Sequence, residues 1–519
     1  MKKKIISWVL ASVMIASFCG CGAAGNNAVS SAKEEKSSSD AGAGATNGST
    51  TSAEANSDPS EWPVVTVQIP AITEMPDGPI VEEALNNYLK SINAGVQAKL
   101  VQTALGDLAN QLTLMLSDNQ NPLDLFCWRF YSTLDNCVKN EQCIPLDKYL
   151  DEYSDMWAMY PENVLKTQQI GGVQYAVPSV DSYATYEVYN MRKDIAEELG
   201  IAERDGERIS KDELTKIMKD VVKKHPEMAA MINTNDEPFI GIDSFGNSNW
   251  LGVLLNRGVG TTKVVNLYDT PEWRDYCYMM KDWSDAGIFI DDPLNNELTI
   301  TQYNNGVAAG CFMGGYSPDY IKALIAYSPY ESVQYQLTDL VGTSSSVLGG
   351  WMISSVCKNP DAAMKMLYLM TTDKNVARTL ILGVEGTHYT IDEKGIARRP
   401  EGVTQANTTW NQDCPWFYPN QCLSIPLETE MTTYYSDMLD APKHAKFSDA
   451  MGFVFDSTPV YDQMAACTTV VAQYRNALLY GLVDVDSYLE KFNAELKAAG
   501  IDDIVNAEQE QLDAWKAAQ

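Results

Sequence analysis

The sequence predicts an α/β fold, and three observations carry that prediction. Short β-branched runs alternate with amphipathic segments of helical spacing along most of the chain. Hydrophobic residues make up 45% and aromatics 10% of 519 residues, enough to build cores and to exclude wholesale disorder. The length asks for three or four domains or two large lobes, and no internal repeat suggests a solenoid or propeller instead.

The elements follow in order. Val64 to Pro70 is a β-branched run closed by proline, a first strand. Pro79 to Lys90 places Ile80, Ala84, Leu85, Tyr88 and Leu89 at helical spacing. Gln97 to Val101 reads as a second strand, Leu105 to Leu116 as a helix, and Leu123 to Trp128 as a short buried strand. Strands separated by helices of this length predict a parallel sheet. Gln174 to Val177 and Tyr186 to Asn190 read as strands, Lys193 to Gly200 as a helix. Ser210 with Glu213 three residues on forms a capping box opening a helix to His225-Pro226. Thr270-Pro271-Glu272 opens another helix, ending near Gly287. Val307 to Met313 is an apolar strand, and Asn359-Pro360-Asp361 opens a helix to Thr371. Tyr461 to Tyr480 and Val485 to Lys516 are helical.

The N-terminus reads differently. Lys2, Lys3 and Lys4 precede an apolar stretch, Ile5 to Phe18, too short to span a bilayer core of about 30 Å. It reads as a secretory signal over 1–20. Gly20 before Cys21 resembles a bacterial lipobox, which makes Cys21 the lipidated residue. Residues 22–60 are mostly Gly, Ala, Ser, Thr and Asn, a tether of roughly 35 Å r.m.s. span by random-coil scaling. Of 11 Cys, nine lie beyond the signal and lipobox, so at least one is unpaired. Cys137 with Cys143 and Cys414 with Cys422 could close short loops, whereas Cys127, Cys311, Cys357 and Cys467 sit in apolar runs.

Composition excludes several functions. The net charge of −31 repels phosphate backbones, which argues against nucleic acid. Three histidines (His225, His388, His444) leave little for metal centres or repeated His chemistry. The sequence lacks the P-loop, H-E-x-x-H, G-x-S-x-G, EF-hand and C-x-x-C patterns, so no metal or other cofactor is indicated. With 69 acids, a glycosidase-like carboxylate pair carries no specificity.

Several segments together resemble a known family. They are Gly172-Val173-Gln174-Tyr175-Ala176-Val177-Pro178, Tyr189-Asn190-Met191-Arg192-Lys193-Asp194, Asn305-Gly306-Val307-Ala308-Ala309, Gly383-Val384-Glu385-Gly386-Thr387-His388-Tyr389, Gly452-Phe453-Val454-Phe455-Asp456 and Glu508 to Trp515. In this order, behind a lipobox and tether, the chain resembles the extracellular solute-binding lipoproteins of ABC importers, of the sugar-type family 1 and its LipO-like subfamily, related to maltose-binding protein. The resemblance implies a two-lobed, periplasmic-binding-protein-like fold of type II with the ligand between the lobes. Lobe 1 would comprise 62–180 and 346–400, lobe 2 184–342 and 405–519. Hinge strands would lie near Val180 to Thr185 and Thr343 to Leu348, with a third crossing around 400–410. It further implies a monomer, not an enzyme, that captures a carbohydrate, an oligosaccharide, at the outer cell surface, closes about its hinge and hands the uncharged solute intact to permease subunits of the membrane.

A sugar needs an aromatic plate for its C–H face and planar polar groups for its hydroxyls, and open α/β sheets bind ligands at strand carboxyl ends. That filter selects Trp128 and Arg129 after the third strand, where the maltose-binding relative also has a cleft Trp. It selects Tyr316 after Gly314-Gly315, where that relative has a stacking Trp. Asn249 and Trp250 would reach from lobe 2, and Trp351 would follow two glycines that permit close approach of a ligand. Tyr183 and Tyr186 lie at the hinge. Glu385, His388 and Tyr389 form either a polar cluster on the cleft edge or a braced loop. Asp124 stays in the strand edge. Trp410, Trp416, Phe417 and Tyr418 form either a lid or a packed cluster. The rival functions are a lipid-anchored glycoside hydrolase and a sensor or adhesive lipoprotein without a permease.

Overall fold

The computed structural model describes residues 58–518, apart from 233–238, 295–299, 326–327, 348 and 429–430. Cys21, the signal and most of the tether lie outside the described residues, as does Leu348 of the expected return hinge. The strands that build the two halves are β1 (Val64–Ala71), β2 (Gln97–Ala104), β3 (Leu125–Cys127), β4 (Val177–Pro178), β5 (Tyr186–Arg192), β6 (Gly310–Gly315), β7 (Ser332–Gln336) and β8 (Gly350–Ile353).

The first half is a five-stranded sheet in the order β2-β1-β3-β8-β4. β1 runs parallel to β2 in unbroken register from Val64 opposite Gln97 to Ala71 opposite Ala104, and parallel to β3 at Val67 opposite Leu125. Val65, Val67 and Ile69 are buried with Leu125, Phe126 and Cys127. The helix Gly78–Ser91 buries Val81, Leu85 and Leu89 against this core. Just before β3, Asp124 Oδ2 accepts from the Thr66 N–H at 2.8 Å, registering β3 against β1.

The second half departs from the parallel expectation. β5 lies between β6 and β7, antiparallel to both, with Tyr189 opposite Phe312 and Tyr335. In the first half, β8 likewise runs antiparallel to β3, Trp351 opposite Cys127. The cause is the path of the chain. It leaves the first half through 179–185 and returns through 341–347, and the two crossings pair antiparallel through reciprocal Thr185–Val341 backbone bonds of 3.0 and 3.1 Å. β5, which follows the outgoing crossing, and β7, which leads into the return, run in opposite senses accordingly. Helices Lys211–Lys224, Pro271–Asp285, Tyr461–Leu479, Val485–Ala499 and Ile501–Ala517 complete the second core, which buries Trp273, Trp283 and Phe492.

The third crossing comes later than expected. Trp410, Cys414, Phe417 and Tyr418 are buried in the first core, not the second, and Asn420 Nδ2 donates to Thr371 O at 2.9 Å. The chain changes sides through the helix Tyr434–His444 and reaches the hinge at Lys446–Phe447, which pairs in parallel with Val341–Gly342. Beyond it, Met451 packs in the first core while Phe453 packs with Phe245, Leu512 and Trp515 of the second. Lys139, on the helix Leu134–Lys139 of the first half, bonds Asp456 at 2.6 Å and Thr458 at 2.7 Å. Asp456 is held in turn by Gln511 of the second half.

Three local expectations change. Ser210 caps its helix through the Glu213 N–H, but the Glu213 carboxylate pairs with Arg204 at 2.6 Å, so the box is not reciprocal. The tail after Val485 is two helices, because Gly500 adopts φ 97 and breaks the first at its C-terminus. All nine described cysteines are free thiols, neither loop pair being bridged. Burial pushes Cys137 and Cys143 up to about 12, as it does Cys414 and Cys422.

Candidate binding cleft

β3 ends at Cys127 and delivers Trp128, Arg129 and Phe130 to the edge of the first half. The Trp128 N–H donates to Gly350 O at 3.2 Å and its Nε1 donates to Gln168 Oε1 at 2.9 Å, which fixes the indole. The room that Gly349 and Gly350 create is therefore used by the protein itself. A Cβ at Gly349 would meet Arg129, and one at Gly350 would meet Gln168 and Trp128. Phe130 adopts φ 62 and stays 55% exposed, an apolar ring held outward on a left-handed backbone. The ring of Trp416 stands 5.5 Å from it, edge to face, and the Arg129 guanidinium lies 4.4 Å above Trp416. Arg129 Nη1 donates to the Trp416 carbonyl at 3.4 Å. These three side chains form one wall.

The other wall is built of tyrosines. Tyr316, where β6 ends, lies 4.3 Å from Tyr320, and its hydroxyl donates to Tyr434 O at 3.2 Å. Tyr434 stands 5.7 Å from Tyr320 and 5.0 Å from Tyr435. The second half and the third crossing thus share a continuous aromatic surface.

Asp181 lies on the outgoing crossing. Burial raises its pKa, while the Ser182 N–H and the Arg129 charge pull it back. The Ser182 N–H donates to its Oδ1 at 2.7 Å. Tyr316 and Tyr434 both feel the Asp181 charge. Tyr320 feels Asp181 and Arg129 together, and burial above all pushes it up to about 12. Arg129, Asp181 and Tyr320 are thus near enough for their charges to be felt. Together with the aromatic rings they offer stacking faces, a donor fork and an acceptor, which suits a polyhydroxylated ligand with apolar C–H faces.

Of the residues selected from sequence, Arg129 and Tyr316 stand here, while Trp128, beside Arg129, is half-buried against the first core with its indole on Gln168. Tyr186 packs behind Tyr320 with Val188 and Ile321. Others stand elsewhere. Trp351 is fully buried in the first core, its Nε1 donating to Phe417 O at 2.9 Å, which corrects its reading as a ligand contact. Tyr183 is also a core residue, its hydroxyl donating to Ser179 O at 3.0 Å. Trp250 packs against Trp273 at 6.1 Å and under Arg475 at 4.3 Å, and Asn249 donates to Thr468 at 3.2 Å, so the helical layer of the second half claims both. His388 is buried. Its Nδ1 accepts from the Val384 N–H at 2.9 Å, which assigns the proton to Nε2, 3.3 Å from Asp77 at the head of the helix Gly78–Ser91. Burial lowers its pKa, and Glu385 points to solvent in the same loop. The braced-loop alternative therefore describes this cluster. Trp410 is core, with Nε1 donating to Leu380 O at 3.2 Å. The packed-cluster alternative describes Trp410, Phe417 and Tyr418, whereas Trp416 reaches the cleft.

Sequence reasoning missed Asp181, Phe130, Tyr320, Tyr434 and Tyr435. The Tyr434-Tyr435 pair was a legible signal. Asp181 carried a weaker one, an acid inside an otherwise uncharged hinge from Val177 to Tyr186. Among the described residues no cluster of His, Cys, Asp and Glu is arranged to hold a metal ion, and no helix is long and apolar enough to cross a membrane.

Comparison with known proteins places this geometry. Residues 73–377 match the family "Bacterial extracellular solute-binding protein", and 449–517 match a domain of unknown function, DUF3502. A Streptococcus pneumoniae protein named as a carbohydrate ABC transporter substrate-binding protein is 23% identical over 456 residues, covering 85% of this chain and 89% of its own. The crystal structure of the N-glycan transport solute-binding protein NgtS from S. pneumoniae superposes with a TM-score of 0.74 at 18% identity, over 87% of this chain and 98% of that one. An HMO-binding solute-binding protein from Bifidobacterium longum infantis gives 0.58 at 14% identity, over 88% and 99%.

Proposed function

Because the chain belongs to the family of bacterial extracellular solute-binding proteins, we propose that it is the receptor of an ABC importer, capturing an oligosaccharide at the outer cell surface and releasing it intact to membrane permease subunits. The observation that carries the reading is the pair of aromatic clusters at the crossings, Phe130, Arg129 and Trp416 on the first half and Tyr316, Tyr320 and Tyr434 on the second. A ligand touching both walls favours the conformation in which both are near, so binding energy drives closure about the paired crossings at Thr185 and Val341. Closure then presents to the permease a surface that the empty receptor lacks. The named ligand of the pneumococcal relative, an N-glycan, supports an oligosaccharide over a monosaccharide. The receptor acts as a monomer, held at the membrane by lipid on Cys21 and reaching outward on its tether.

Calorimetric titration with a panel of neutral oligosaccharides, including Man1GlcNAc, tests this reading. One or more should bind, contract the protein in small-angle scattering and be recovered unbroken by mass spectrometry. Recovery of cleaved sugar would establish the hydrolase instead, and absence of binding across the panel would refute the carbohydrate assignment. Cys21→Ser should move the protein from the membrane fraction to the medium; retention on membranes would refute the lipid anchor.

A further inference from the structure

We propose that Arg257 and Asp243 are the positioning residues of closure. From the second half they hold the ends of the outgoing and return crossings as one block, so that the hinge bends only beyond it, between Tyr183 and Thr185 and between Ser346 and Val347. This rests on the receptor reading above and adds to it where the molecule bends and what fixes the axis.

The block is built on a short ribbon in which Ile242–Asp243 pairs antiparallel with Leu254–Leu255. Asp243 is fully buried. Its Oδ2 accepts from the Ser344 N–H at 3.1 Å and its Oδ1 from the Ser344 hydroxyl, both in the return crossing. Beside it the Gly246 N–H donates to Ser345 Oγ at 3.2 Å. Arg257, just past the other strand, reaches the outgoing crossing. Its Nη1 donates to Thr185 O at 2.9 Å and to Asp339 O at 3.4 Å, and its Nη2 stands 3.6 Å from Glu187 Oε1 on β5. Thr185 O thus takes two bonds, the other from the Val341 N–H at 3.0 Å. The third crossing is gripped by the same loop: Gly258 O accepts from the Asp449 N–H at 2.9 Å, and a Cβ on Gly258 would collide with Ser448.

The backbone of this segment is held by its contacts. Four of the ten non-glycine residues with positive φ among the described residues lie in it, Phe245, Trp250, Asn256 and Arg257. Such residues stay left-handed only where surrounding contacts hold them, and the bonds of Arg257 to two carbonyls supply that hold. The first half ends as abruptly. Tyr183 and Val347 pack in the first core, and the Tyr183 hydroxyl returns to Ser179 O at 3.0 Å. On the return side Thr343 and Ser346 cap each other, the Thr343 N–H donating to Ser346 Oγ at 2.9 Å. Ala184 alone separates Tyr183 from the block, and nothing separates Ser346 from Val347. A change in angle between the halves must be absorbed at these steps. A Cβ on Gly342 would collide with Tyr183 O, so this glycine lets the two crossings pass closely at the bend.

Hydrogen exchange of the full chain, read by mass spectrometry on overlapping peptides, tests this without a ligand. Arg257→Ala should speed exchange over 185–187 and 339–344 by roughly 10- to 100-fold, the scale of a hydrogen bond to a charged group. Asp243→Asn should speed it over 343–346. In both, the second-core helix Pro271–Asp285 should exchange as in wild type. Arg257→Lys should fall between, because an ammonium reaches one carbonyl where the guanidinium forks to two. For each oligosaccharide of the panel that wild type binds, Arg257→Ala should weaken binding about 10-fold, because the closed conformation is then drawn from a broader ensemble. Unchanged exchange in the crossings, or exchange raised equally through the second core, overturns the proposal. So does faster exchange in the crossings with affinity within about twofold of wild type, which would make both residues braces of the second half alone. Absence of wild-type binding across the panel refutes the carbohydrate reading instead, and the exchange result still decides the block.

Discussion

Glu508 offers a test of the second core that is independent of any ligand. It lies on the helix Ile501–Ala517, is 0% exposed, and neither carboxyl oxygen has a hydrogen-bond partner. Gly252, at φ +88, packs so closely that any Cβ there would collide with Glu508 Oε2. Burial raises the Glu508 pKa well above 4.5, so the fold holds a neutral acid where the unfolded chain would ionise. The sign follows from linkage. Above the unfolded pKa the folded state binds more protons, so this group's contribution is fully favourable at low pH and is lost as pH rises toward the folded value. The loss is about 1.4 kcal/mol per pH unit. Glu508→Gln has no proton to keep. Its stability relative to wild type should therefore improve with pH, by about 1.4 kcal/mol for each unit above roughly pH 5 while the wild-type acid stays protonated. In a domain of 150–250 residues that corresponds to about 3–6 °C in melting temperature per pH unit. Thermal melts of both proteins at half-unit intervals from pH 4.5 to 7 read the difference directly, because every other titrating group cancels. Parallel curves would show that Glu508 is solvated or paired and would refute the burial argument.

Other predictions follow from the two walls and the segment joining the halves. Trp351→Ala should cost about 3–5 kcal/mol in denaturant unfolding, since it empties a core site and orphans the Phe417 carbonyl; a loss below about 1 kcal/mol would mean that the indole is not core. Trp416→Ala should weaken oligosaccharide binding roughly 10-fold, on the scale of lost stacking, with little change in melting temperature; unchanged affinity would remove that wall from the site. The Asp456 carboxylate, held down to about 2 chiefly by Lys139 and Thr458, contributes stability above its ordinary range that is lost as pH falls toward 2. In Lys139→Ala its midpoint by NMR titration should return toward 3.8, and a midpoint still near 2 would mean that Lys139 does not bridge the halves in solution.

The sequence alone determined the elements whose signal is local. β1, β2 and the helices opening at Pro271 and Pro360 were legible because β-branched runs, helical periodicity and capping residues act within a few neighbours. Ordered short motifs pointed to a two-lobed solute-binding protein before any contact was known. Tertiary structure decided which face each aromatic serves. Trp128, Trp351, Trp410 and Trp416 are alike in sequence, each in an apolar or loop context, yet Trp351 and Trp410 close the first core, Trp128 packs half-buried against it and Trp416 meets Arg129 and Phe130, because burial depends on what the rest of the chain stacks over them. The late third crossing was hidden for the same reason: 399–427 has no periodicity, and its place in the first core follows from distant partners such as Thr371 and Leu380. Strand direction, too, depends on how crossings pair at the hinge, a relation between residues some 150 positions apart that no local window contains.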